Sequence, residues 1–205
     1  MLAFLRGKAS ERKLRLFACA RCRESWAELV DPKSKKAVEV AEKVAEGGVS
    51  AAHRKILKKQ REEAESLAGE AVDSIRGMFG WGSSQGIASL AVTFAVGPYC
   101  ISVEPYLDPL FAHIDLHKES ALLRDILGNP FRPVAIRSSW LTWNDGTVRR
   151  IAQAIFDERA FDRMPILADA LEDAGCVDEQ IVKHCRDGGL HVRGCHVLDA
   201  LLGKK

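Results

Sequence analysis

The chain has 205 residues, of which 47% are hydrophobic and 28% charged, with a formal net charge of +2. That balance belongs to a folded globular protein and excludes a disordered one, while the near-neutral charge neither requires nor rules out an acidic partner. Four Trp, two Tyr and eight Phe are too few for an extended base-stacking surface.

The first five residues are apolar and precede Arg6 and Lys8, the reverse of a signal-peptide order. The longest apolar run, Ile87 to Val103, is broken by Gly97-Pro98 and is short for a membrane span. Six cysteines without small-scaffold spacing point to reduced thiols. A cytoplasmic protein with no membrane partner is therefore expected.

A first helix is expected from Ser10 to Leu29, with Ser10 as cap and Glu11 at the positive end of the helix dipole. Leu14, Ala18, Cys19, Cys22, Trp26, Leu29 and Val30 fall on one arc. Asp31-Pro32 starts a second helix, striped by Ala37, Val40, Ala41 and Val44 and ended by Gly47-Gly48, which makes an αα-hairpin. A third helix runs from Ser50 to about Ile75. Its basic first half, Arg54, Lys55, Lys58, Lys59 and Arg61, has two readings. One is a patch for nucleic-acid phosphates; the other, favoured by Glu62, Glu63 and Glu65 directly after it, is a solvated helix face.

The glycine-rich stretch 77–86 lacks the strand before it and the lysine after it that a phosphate-cradling loop needs, so it reads as a connector. Residues 87–100 are β-branched and apolar and could be a strand, but among helical neighbours they read as a buried helix. Residues 104–128 form a further helix, on which His113 and His117 are one turn apart; that spacing alone is a weak metal signal. Gly128-Asn-Pro-Phe-Arg-Pro133 stops it and opens an irregular connection to about Gly146, with Phe131, Trp140 and Trp143 expected as anchors on the helices.

Thr147 and Asp162 can cap the next two helices, with Pro165 tolerated in the first turn of the second and Gly175 ending it. Asp178 caps a short helix to about Arg186, and a last one is expected from about Val192 to Leu202. The fold class is all-α, a compact array of roughly seven to nine helices with no regular solenoid repeat. The expected organisation is a hairpin plus long helix over 1–76, a connector over 77–86, and a helical part over 87–205 sharing the same core.

Chemistry gathers in the tail, where Cys176, His184, Cys185, His191, Cys195 and His196 share one short span. Thiolate and imidazole are ligands that zinc prefers, so His184, Cys185, His191 and Cys195 form a candidate zinc site, although their spacing matches no zinc-finger pattern. Cys19 and Cys22 have a Cys-Xaa-Xaa-Cys form but lie inside an expected helix. Cys195 with His191 and Asp199 supplies the residue types of a nucleophile, base and orienting acid. One helix carrying all three would offer no cleft or oxyanion donors, so no catalytic residue is assigned. The competing reading of the cysteines is small buried core residues.

Several motifs carry a resemblance: Phe17-Ala-Cys19 with Cys22, Ala37 to Glu42, Leu122 to Pro133, and above all Met164-Pro-Ile-Leu-Ala-Asp-Ala-Leu-Glu-Asp-Ala-Gly-Cys176, His184-Cys-Arg186 and His191-Val-Arg-Gly-Cys195. The chain resembles an uncharacterised family of helical proteins of planctomycete bacteria. His196 departs from it, since an aromatic such as tryptophan is expected there, as does the β-branched run around Val92. The resemblance implies a helical fold and no particular activity. The function expected from the residues is a binding or adaptor module acting on another protein. Zinc binding through the tail and nucleic-acid backbone binding through residues 54–61 are the alternatives.

Overall fold

The computed structural model describes residues 9–47 apart from 25, 28, 30 and 31, residues 59, 62, 63 and 66, and residues 116–204. The described residues are helical, with no strand among them. The chain divides into two compact units, Met1–Asp115 and Leu116–Lys205. Of the basic run, only Lys59 is described, exposed on a helix. Arg54, Lys55, Lys58, Arg61, the glycine-rich stretch, residues 87–100 and His113 lie outside the described residues.

In the first unit, α1 (Glu11–Glu24) and α2 (Pro32–Glu46) form the expected hairpin. Ser10 Oγ accepts the Lys13 N–H at 3.3 Å, as an N-cap should. Helix α1 stops five residues earlier than the apolar arc suggests, because Trp26 N donates back to Arg23 O in a turn. Arg23 closes that turn from both sides: its guanidinium lies 4.0 Å from the Trp26 ring centre and forks onto Glu42 of α2 at 3.1 and 2.9 Å. The turn carries Leu29 into a core with Cys19, Cys22, Ala37, Val38, Val40 and Ala41. Cys19 and Cys22 are core residues here, and burial pushes the Cys22 thiol up to about 12.

In the second unit, α3 (Leu116–Leu127) ends at Gly128, whose φ of +67° and N–H bond to Arg124 O form a left-handed C-cap. His117 is exposed near its start. Asn129 Oδ1 then takes the Phe131 N–H at 2.9 Å, and this tight turn points Phe131 outward at 87% exposure. Phe131 is therefore not the anchor expected of it. The connection is also less irregular than expected, since α4 (Ser138–Thr142) and a 3₁₀ turn (Trp143–Gly146) occupy its second half. Trp140 is buried there and Trp143 packs against the core, as anchors.

Helix α5 (Thr147–Glu158) follows three left-handed residues, Asn144, Asp145 and Gly146, the residue types that tolerate that backbone. Thr147 does not cap it; its hydroxyl donates to Asn144 O at 2.6 Å, closing the preceding turn. Asp162 likewise falls inside a 3₁₀ turn (Phe161–Arg163) that leads into α6 (Met164–Asp173), with Pro165 in its first turn. Asp178 caps α7 (Glu179–Arg186) by accepting from Gln180 N at 3.0 Å. Arg186 then clamps α7 to α6 through Asp169 at 2.6 Å and Glu172 at 3.2 Å.

The last helix, α8 (His196–Leu202), begins four residues later than its expected start. Gly194 at φ +98°, with Cys195 N donating to Val192 O, turns residues 192–195 out of helical geometry and leaves Cys195 at the cap. Ile155, Met164, Leu167, Leu171, Ile181, Leu198 and Leu201 form the core of the unit, each wholly or nearly wholly buried. Burial of each such side chain contributes about 1.5–3 kcal/mol. Leu122, Leu123 and Ile126 of α3 are buried, yet among the described residues that cluster takes none of them. Helix α3 packs on α8 and is also tied to the tail by polar contacts. Among the described residues, no helix is long and apolar enough to cross a membrane.

Candidate metal centre

The polar attachment is built on Asp125, which sits on α3 one turn beyond Leu122 and is 2% exposed. Facing it are His184 from α7 and the loop between α7 and α8, which supplies His191 and Cys195. Arg193 pins that loop to α5, donating to Phe156 O at 3.3 Å and lying 4.8 Å from the Phe156 ring centre.

The four side chains offer one ligand atom each, and all four atoms lie within 4.8 Å of one another. His184 Nε2 is 3.2 Å from Asp125 Oδ1 and also 3.2 Å from Cys195 Sγ. The His191 Nδ1–H donates to Asp125 Oδ1 at 2.8 Å, and the Val192 N–H to Asp125 Oδ2 at 2.9 Å. With Nδ1–H donating to Asp125, His191 Nε2 is the nitrogen that keeps a lone pair, and it is buried with no hydrogen-bond partner among the described residues. The His196 Nδ1–H donates to the main-chain carbonyl of Asp125 at 2.9 Å.

Burial alone would raise the Asp125 pKa. The hydrogen bonds from His184 and His191, the charge of His191 and the Val192 N–H outweigh it and hold the carboxyl down at about 2. Cys195 moves the other way, pushed well up by burial and then by the negative Asp125. A carboxylate and a thiol with opposed tendencies thus face each other around His184.

Two chemistries compete for such a set. In a nucleophile–base–acid relay, the imidazole meets the thiol through one nitrogen and the carboxylate through the other. Here His184 uses the same Nε2 for both, and Cys195 is fully buried. Four potential ligand atoms within 4.8 Å of one another could instead hold a metal ion. Zinc bonds of about 2.0–2.3 Å imply tetrahedral edges of about 3.3–3.8 Å, so the short spacings above need to open by up to about half an ångström and any pair near the 4.8 Å limit needs to close by about an ångström. One thiolate, one carboxylate and two neutral imidazoles would also cancel the charge of a divalent ion, which a buried site requires.

Of the four tail residues singled out from sequence, the structure brings together His184, His191 and Cys195. Cys185 lies one residue round α7 from His184 and points into the hydrophobic core, where burial, then the charges of Cys176 and Asp125, push its thiol up to about 12. Asp125 completes the group, 59 to 70 residues before the others, and no local sequence signal marked it. All five described cysteines are free and buried. No protein-family model, curated protein or solved structure matches the chain.

Proposed function

We propose that the C-terminal unit is a metal-binding module in which Asp125, His184, His191 and Cys195 hold one divalent transition-metal ion, zinc by the softness of the donor set. The observation that carries this reading is the convergence of four potential ligand atoms within 4.8 Å, on two buried and two half-buried residues. Four protein ligands are the arrangement of a structural ion, not a catalytic one. The ion would fasten α3 to α7 and to the loop before α8. Titration of the metal-free full chain with cobalt(II) tests it. One ion per chain with a thiolate-to-cobalt absorption band supports it, and the absence of saturable binding removes it.

A second reading builds on the first: the metal-fastened unit docks on another protein. Its support is Phe131, 87% exposed, and Val177, 81% exposed, on neighbouring loops. Those loops are joined by Gln180 Nε2 donating to Arg132 O at 3.2 Å and by Arg132 3.8 Å from Asp178. A photo-crosslinking residue at position 131 tests it. Capture of one discrete protein, lost when Val177 is replaced by Asp, is the expected result; no adduct above background would count against it.

A further inference from the structure

Resting on the metal-binding reading, we infer that His196 is the positioning residue of this site: it holds three of the four ligands in register without ligating the ion. His196 is the first residue of α8 and directly follows Cys195. Its Nδ1–H donates to the Asp125 carbonyl at 2.9 Å, which fixes the last turn of α3 against α8. Its ring lies 4.3 Å from the His184 ring, tilted by 58°. The same ring fills the space that a side chain at residue 128 would need, since a Cβ built on Gly128 would lie 2.7 Å from His196 Cδ2. One imidazole therefore joins Cys195 by the chain, Asp125 by a hydrogen bond and His184 by ring contact. Partners of this kind orient ligands before the ion arrives, and their loss costs about 10–100-fold in metal affinity.

Two variants of the full chain separate the parts of this role. His196→Phe keeps a ring against His184 and loses the N–H; His196→Asn keeps a donor for the Asp125 carbonyl and loses the ring. Cobalt(II) affinity is measured by competition with a chelator, together with the cobalt absorption spectrum and the unfolding of the metal-free chain. The expected result for His196→Phe is an affinity about 10–100-fold weaker, with the thiolate band and ligand count retained. His196→Asn should lose less, because it restores the bond to Asp125. Unchanged affinity in both variants, against a wild-type chain that binds cobalt, would overturn the positioning role alone. Cobalt ligand-field bands in His196→Phe that show one nitrogen ligand fewer, with the thiolate band kept, would make His196 a ligand instead and overturn the positioning role. A wild-type chain that binds no cobalt would overturn this inference and the metal reading together.

Discussion

Asp125 and His191 stand 66 positions apart in the chain and meet at 2.8 Å, through a hydrogen bond buried beneath α3. It joins α3 to the loop before α8, and the remaining site residues are arranged around it.

Replacement of Asp125 by Ala should weaken metal binding by more than the roughly 10–100-fold that loss of an outer partner costs, because a ligand is removed. In the metal-free chain the same change leaves the Val192 N–H and one side of His191 without their acceptor. A stability loss of about 1–3 kcal/mol is expected, read from the urea midpoint.

The two neighbouring cysteines of α7 and the loop should behave differently. Cys195→Ser removes a soft donor and should abolish the thiolate-to-cobalt band. Cys185→Ser should keep the band while lowering stability through a polar group in the core. A band lost in Cys185→Ser and kept in Cys195→Ser would reverse their roles.

Metal removal should be visible as lost stability. At a free metal concentration about a hundred times Kd, binding adds about 2.7 kcal/mol. For a unit of this size, chelation should lower Tm by about 10 °C or more. Equal melting with and without chelator would mean that no ion is bound to the native state.

Gly128 is constrained twice, by its φ of +67° and by the His196 ring, which occupies the space a β-carbon would need. Gly128→Ala should destabilise by about 1–2 kcal/mol from the left-handed backbone alone, and more from displacing the ring. Urea unfolding checks the first effect, and cobalt affinity checks the second.

The hairpin thiols give a prediction in pH. Burial, with Glu42 acting the same way, raises Cys22 from 9.0 to about 12. The folded state therefore keeps a proton that the unfolded state loses above pH 9. This contribution to stability is intact below pH 9 and is lost as pH rises towards 12. Native Cys22 should resist alkylation at pH 9, while the unfolded chain reacts; equal rates in both states would contradict its burial.

Helix periods, caps and glycine stops made the all-α class legible, and the pairing of α1 with α2 followed from Asp31-Pro32 and the apolar arcs. The tail cluster was legible as a metal candidate because His and Cys are dense there. What the sequence hid was which of them point together. Gly194 inside the expected last helix was the sign that residues 192–195 form a turn, and that turn lets His191 and Cys195 face His184. Asp125 could not be paired with them from spacing, since contacts over 59 or more positions leave no local pattern. Phe131 looked like an anchor by composition, yet the Asn129 side-chain bond to its N–H directs it to solvent.

The most direct test of the central claim is elemental analysis of the untagged full chain purified without chelator, beside the Asp125→Ala and Cys195→Ser variants. The account predicts about one zinc per wild-type chain and little or none in either variant. A wild-type chain free of transition metal after incubation with zinc, or variants that retain the same amount, would contradict it.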